Sequence, residues 1–309
     1  MSDVDTPSAS ARPWYLGALL GVSAWFAGIL LLLGMALVFT PKSAAAAAAL
    51  GALLLGAAFG LLLADRHSGF LAQLGLCISI AGQCLLIFGL SGKASSALGL
   101  ALTALLVQSA LAALMPNRMH RSLSTLFALI AWAIWLRLLE GQGNWGDFWG
   151  SSATQAKLGA SDLLWQVGLW LCTWLIPGAA LWWLLRKMAS IGVNRWQQIG
   201  LPIARGLIVG IASATALTYA PGLIGSSNAS FAGLWPLLSA LAAAFMVAAG
   251  FRLHSAALIG FTTLCAFIHL SWFYYDLGLS LLMKSIVMMA IGALCLGARA
   301  LAQTRWRRA

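Results

Sequence analysis

Acidic residues are almost missing from this sequence: seven Asp and Glu stand among 309 residues, against eighteen Lys and Arg. Charged residues of both signs make up only 8% of the chain, where soluble domains carry about 25%. So few charges cannot cover the surface of a water-soluble fold of this length. Lipid is the expected solvent for most of that surface. The scarcity of carboxylates also leaves little for general acid–base chemistry. No P-loop, GxSxG, HExxH or dinucleotide fingerprint is present. The four histidines, His67, His120, His254 and His269, are scattered, with no carboxylate at triad or ligand spacing. No enzymatic activity, cofactor or metal site is expected.

The cysteines exclude rather than suggest chemistry. Cys77, Cys84, Cys172, Cys265 and Cys295 all lie inside apolar runs, and none forms a CxxC. They read as small packing residues, not as a disulfide framework or a zinc set. A net charge of +11 raises nucleic acid as a partner, but a nucleic-acid footprint needs a clustered basic face. Here the basic residues are dispersed in short connectors between apolar runs. That is the positive-inside pattern, and it makes the lipid bilayer the expected partner.

What the chain has in abundance is hydrophobic residues, at 61%. A membrane-crossing helix needs about 20 predominantly apolar residues. Candidate spans occupy 14–39, 44–64, 70–90, 96–115, 122–140, 162–185, 198–219, 230–249, 253–275 and 278–300. The apolar stretch of the first exceeds the core of a signal peptide, about 7–15 residues, so it reads as a retained span. With the N-terminus in the cytoplasm, twelve of the eighteen basic residues fall in cytoplasmic segments. Lys42, Lys93 and Lys157 fall in outer loops, and Arg137, Arg205 and Lys284 fall within spans. Dropping a span moves several basic clusters to the wrong side. The expected fold is an all-α, polytopic transmembrane bundle of about ten spans with both termini cytoplasmic.

The expected organisation is a short polar cytoplasmic tail over 1–13, a single transmembrane helical domain over 14–301, and a basic cytoplasmic tail over 302–309. Most connectors are too short for a soluble domain. The exception is the outer loop 141–161, whose Trp145, Phe148 and Trp149 alternate with glycine and polar residues and suit the membrane interface. It divides the spans into two sets of five, a geometry compatible with an inverted repeat, although no sequence repeat accompanies it. Three small-residue pairs, Gly17 with Gly21, Gly56 with Gly60 and Gly206 with Gly210, are candidates for close helix approach. Pro177 should kink the sixth span.

Ionisable residues inside spans are the stronger signal, because an unpaired charge at mid-membrane is costly. Arg205 lies two turns into a span that begins in the cytoplasm, so its side chain leans back toward water. Lys284 leans back toward the outer side, where Asp276 and Glu140 are candidate partners; Asp276 also suits the N-cap of the last helix, and Glu140 is spaced to meet Arg137. On this topology Arg137, Glu140, His269, Tyr274, Tyr275, Asp276 and Lys284 form a candidate outer-side polar cluster. Tyr219 lies at the same level, with Ser213, Thr215 and Thr218 beside it. These residues either line one outward-facing vestibule or act separately as interfacial caps and snorkelling side chains.

The segment FYYDLGLSLLMKS, Phe273–Ser285, followed by Gly292 and Leu296, resembles the C-terminal signature of a bacterial membrane family, domain of unknown function 4401. The resemblance implies an integral inner-membrane protein, with a membrane-protein partner by analogy, and assigns no role to any residue. Ten spans with minimal loops suit a small-molecule or lipid transporter of unknown ligand. The alternative is a non-catalytic assembly or scaffold subunit of the membrane.

Overall fold

The computed structural model describes residues 14–38, 41–64, 70–92, 96–140, 160–188, 190, 192–217, 235–276 and 280–306. Every regular element among them is helical. The helices are α1 (Trp14–Val38), α2 (Ala44–Ala64), α3 (Phe70–Ser91), α4 (Ala97–Leu114), α5 (Arg118–Glu140) and α6 (Ala160–Lys187). Helix α7 opens at Val193–Arg195, passes through a π-helical turn at Trp196–Gly200 and continues as Leu201–Leu217. Then come α8 (Trp235–Arg252), α9 (Ala256–Asp276) and α10 (Leu281–Trp306). The described part of each expected apolar run lies largely on a helix, and part of the expected basic tail, to Trp306, belongs to the last one.

Five of these helices are long and apolar enough to cross a membrane: Ala44–Ala64, Phe70–Ser91, Ala97–Leu114, Arg118–Leu136 and Ala256–Tyr275. Shorter apolar helical stretches occupy Leu19–Gly34, Leu237–Arg252 and Leu281–Ala293. Large apolar side chains stand outward on most helices, among them Phe26, Leu53, Phe88, Leu106, Phe245 and Phe267. In water such surface would drive association; toward lipid it is neutral. The all-α class and this surface mark a membrane protein.

The chain forms two compact units. The first holds α1 to α6 and α7 as far as Gly210. Within it α2 packs along α3, α4 along α5, and α3 also meets α1 and α4. Leu54, Ala58 and Ile78 form one part of its core, and Leu55, Leu62 and Met115 another. Glycine sets how closely helices approach. A methyl group on Gly51 would lie 2.5 Å from the backbone nitrogen of Leu86, and Gly89 abuts the backbone of Ala48. Gly206 and Gly210 pack against Thr125 and Leu129 of α5 as their spacing suggests. Gly56 and Gly60 have nothing within 4 Å, so that spacing does not act as a helix contact in this structure; Gly21 is likewise open, and the surroundings of Gly17 lie outside the described residues.

The second unit holds α7 from Ile211 together with α8, α9 and α10. Helices α8 and α9 form a tight hairpin. Its turn closes by paired backbone bonds, His254 N to Phe251 O at 3.0 Å and Ser255 N to Gly250 O at 3.3 Å. That is the Schellman pattern, whose left-handed position usually belongs to glycine. Here His254 occupies it, with φ of 51°.

Candidate functional site

The polar residues that the structure draws together lie in the first unit, inside helices that are otherwise apolar. Ser79 and Gln83 are one turn apart on α3, so they share a face. Gln108 lies on α4, and His120 and Ser124 share a face of α5. All five are buried, and His120 is only 1% exposed. The α4–α5 connection explains how a histidine so near a helix start comes to lie inside. Pro116 cannot extend α4, and Asn117 then caps α5: its Oδ1 accepts from the backbone nitrogens of Met119 at 2.8 Å and His120 at 3.2 Å. The chain turns within three residues, and His120 enters the bundle at once.

These side chains form one hydrogen-bonded chain across three helices. Gln108 Nε2 donates to Gln83 Oε1 at 2.8 Å. Gln83 Nε2 donates to Ser79 Oγ at 3.0 Å and lies 3.1 Å from His120 Nε2. Ser79 Oγ lies 2.6 Å from the same ring nitrogen. On the far side of the ring, Nδ1 meets Ser124 Oγ at 3.1 Å. An amide N–H can only donate, so this arrangement makes Nε2 the acceptor and Nδ1–H the donor to Ser124. At the other end Gln108 Oε1 is buried without a hydrogen-bond partner.

Arg121, next to His120, is 8% exposed. Its Nε donates to the Met115 carbonyl oxygen, while Nη1 is buried with no partner. Below it Ser122 Oγ donates to the Pro202 carbonyl at 2.9 Å, tying α5 to the start of α7. A further polar contact joins α1 to α3: Trp25 Nε1 donates to Gln73 Oε1 at 3.2 Å.

The outer-side candidates distribute as follows. Arg137 and Glu140 belong to α5 of the first unit, and their side chains lie outside the described residues. His269, Tyr274, Tyr275, Asp276 and Lys284 belong to the second unit. His269 is buried, with Nε2 3.0 Å from the Ala212 carbonyl oxygen. Lys284 Nζ donates to the Tyr275 carbonyl at 3.4 Å and stands 5.3 Å from the centre of the Tyr274 ring. The Tyr274 and Tyr275 rings meet edge to face at 5.6 Å. The Asp276 side chain, Thr218, Tyr219, the Thr215 side chain and the loop 141–159 lie outside the described residues. Arg205 is exposed. The described cysteines are unpaired, and no group of His, Cys, Asp or Glu among the described residues could hold a metal ion.

In the sequence His120 stands out only as one of four scattered histidines. The available signal was the pair of four-residue spacings, Ser79 with Gln83 and His120 with Ser124, together with Gln108 in an apolar run. Comparison with known proteins gives one match: the model of the family described as Domain of unknown function (DUF4401) covers residues 13–237 and 218–305. The chain belongs to that family. No curated protein and no solved structure matches it.

Proposed function

Starting from membership of the DUF4401 family, we propose that this chain is a bacterial inner-membrane protein that crosses the bilayer ten times and carries a small polar molecule. Both termini face the cytoplasm. The supporting observation is the buried chain from Gln108 to Ser124. Polar groups inside membrane helices are costly unless satisfied, and they tend to mark solute or ion pathways. A subunit that only packs against partners gains nothing from an amide oxygen left without a hydrogen-bond partner in its core. The orientation rests on the division of basic residues between connectors.

The test is thiol accessibility. Single cysteines at Ser79→Cys and Gln108→Cys, on a background lacking the five native cysteines, are exposed to a membrane-impermeant thiol reagent in vesicles of each orientation. A solute path makes both positions reactive from at least one face. Ser96→Cys, at the N-terminus of α4, should react only from outside. Protection of both inner positions from both faces, with Ser96→Cys labelled, overturns transport and leaves a dry scaffold. Labelling of Ser96→Cys from the cytoplasmic face overturns the orientation.

A further inference from the structure

The hydrogen-bonded chain has a direction, and that direction depends on one proton. Each link from Gln108 through Gln83 and Ser79 donates toward His120 Nε2. The donors are used inward, which is why the chain ends at Gln108 on an unpartnered acceptor, Oε1. Gln108 is 5% exposed. A buried carbonyl oxygen with no donor is costly, and a ligand N–H or O–H would relieve it.

Now add a proton to His120. Both ring nitrogens become donors, so Nε2–H must give to Ser79 Oγ. The Ser79 hydroxyl then needs an acceptor and finds one only if the Gln83 amide rotates to present Oε1. Gln83 Nε2 in turn donates to Gln108, whose amide must rotate to offer its own oxygen. Every link is remade with two amide rotations and no backbone movement. One proton has been gained at Nε2, one positive charge has been added, and no other covalent bond has changed. The outer end of Gln108 is now an NH2 donor.

Resting on the transport reading above, we propose that Gln108 Oε1 docks a neutral solute bearing a hydroxyl or primary amide, and that proton uptake at His120 reverses the chain and withdraws the acceptor. Neutral solutes are favoured because a charged one would be desolvated against the buried Gln108 amide. Among the described residues the other titratable groups near the ring are few. On α3, Cys77 packs toward Gly28 of α1 and Cys84 is exposed. Helix α4 carries no titratable residue. On α6 and α7 the charged side chains described, Arg186, Lys187, Arg195 and Arg205, are exposed, and on α5 itself Arg118 is exposed and Arg121 is the buried neighbour. Among the described side chains, His120 is therefore the group in this core that can take up a proton and pass the change along hydrogen bonds.

The experiment is nuclear magnetic resonance of the full chain in lipid nanodiscs, with 15N-labelled Gln and His. On acidification the Gln108 side-chain amide signals should shift with the same midpoint as the His120 ring nitrogens. In Gln83→Leu His120 should still titrate while the Gln108 shift is lost. A Gln108 amide that stays fixed while His120 protonates overturns the reversal. Glycerol and urea then serve as donor probes, with dimethyl sulfoxide as a solute that only accepts. At neutral pH at least one donor should perturb Gln108, and should bind about tenfold more weakly in Gln108→Leu, the loss of one hydrogen bond; dimethyl sulfoxide should not. No response of Gln108 to either donor at neutral pH overturns the docking site, and dimethyl sulfoxide that still fails to perturb Gln108 in acid overturns the exchange of acceptor for donor. Binding and reversal without glycerol or urea flux in proteoliposomes would instead count against transport alone.

Discussion

Ser79 on α3 and His120 on α5 meet at 2.6 Å across 41 positions of sequence. The short distance fits an O–H donating to a ring nitrogen. Substituting either residue strands the other and leaves Gln83 with one fewer acceptor. Ser79→Ala and His120→Phe should each lower stability in detergent by roughly 1–3 kcal/mol. The double variant should lose less than the two losses added, by about 0.5 kcal/mol or more. Strict additivity in chemical unfolding would mean that the two side chains do not interact.

Much of the fold was legible in the sequence because lipid solvation leaves a strong trace: long apolar runs broken by short connectors. The run at 44–64 coincides with α2, and the start of α5 at Arg118 rather than at 122 follows from the Asn117 cap. The polar chain was not legible in the same way. Helices apolar on every side have no preferred inner face, so periodicity could not say that Ser79, Gln108 and His120 face one another. Their meeting depends on which helices pack together. One glycine spacing failed for the same reason. Gly56 and Gly60 face open space, while the close crossing of α2 and α3 uses Gly51, Gly82 and Gly89, which no four-residue spacing flags.

That crossing gives a paired prediction. Gly51→Ala pushes a methyl group against the Leu86 backbone, and overpacking of this kind costs about 1–3 kcal/mol. Gly56→Ala on the same helix meets nothing and should be neutral or stabilising by up to about 1 kcal/mol, from helix propensity. Thermal unfolding of the two variants in one detergent separates them. Equal destabilisation would contradict the packing of α2 on α3.

At the α8–α9 turn, His254 holds a left-handed conformation with φ of 51°. A residue with a side chain pays a conformational cost of roughly 1–2 kcal/mol there, which glycine avoids. His254→Gly should therefore raise stability, by about 1 kcal/mol at most, since glycine also frees the unfolded chain. His254→Val, with a branched side chain, should destabilise. The order Gly above His above Val in melting temperature is the expected result, and any order that puts Val above His would contradict the turn.

The last prediction concerns Lys284, which stands over the Tyr274 ring and donates to the Tyr275 carbonyl. The ring face attracts the cation whether or not a hydroxyl is present, so Tyr274→Phe should keep most of the interaction. Tyr274→Leu should lose it, at about 0.5–1 kcal/mol for a partly exposed pair. Lys284→Met should cost a similar amount and should remove the difference between Phe and Leu at position 274. If the Tyr274 variants still differ to the same extent in the Lys284→Met background, ring packing alone accounts for the effect. In that case the cation near the start of α10, a position the helix dipole disfavours, is held by the Tyr275 carbonyl and its surroundings instead. Double-variant unfolding measurements at low and high salt make the distinction, because a cation–ring contact at a partly exposed site weakens as salt rises.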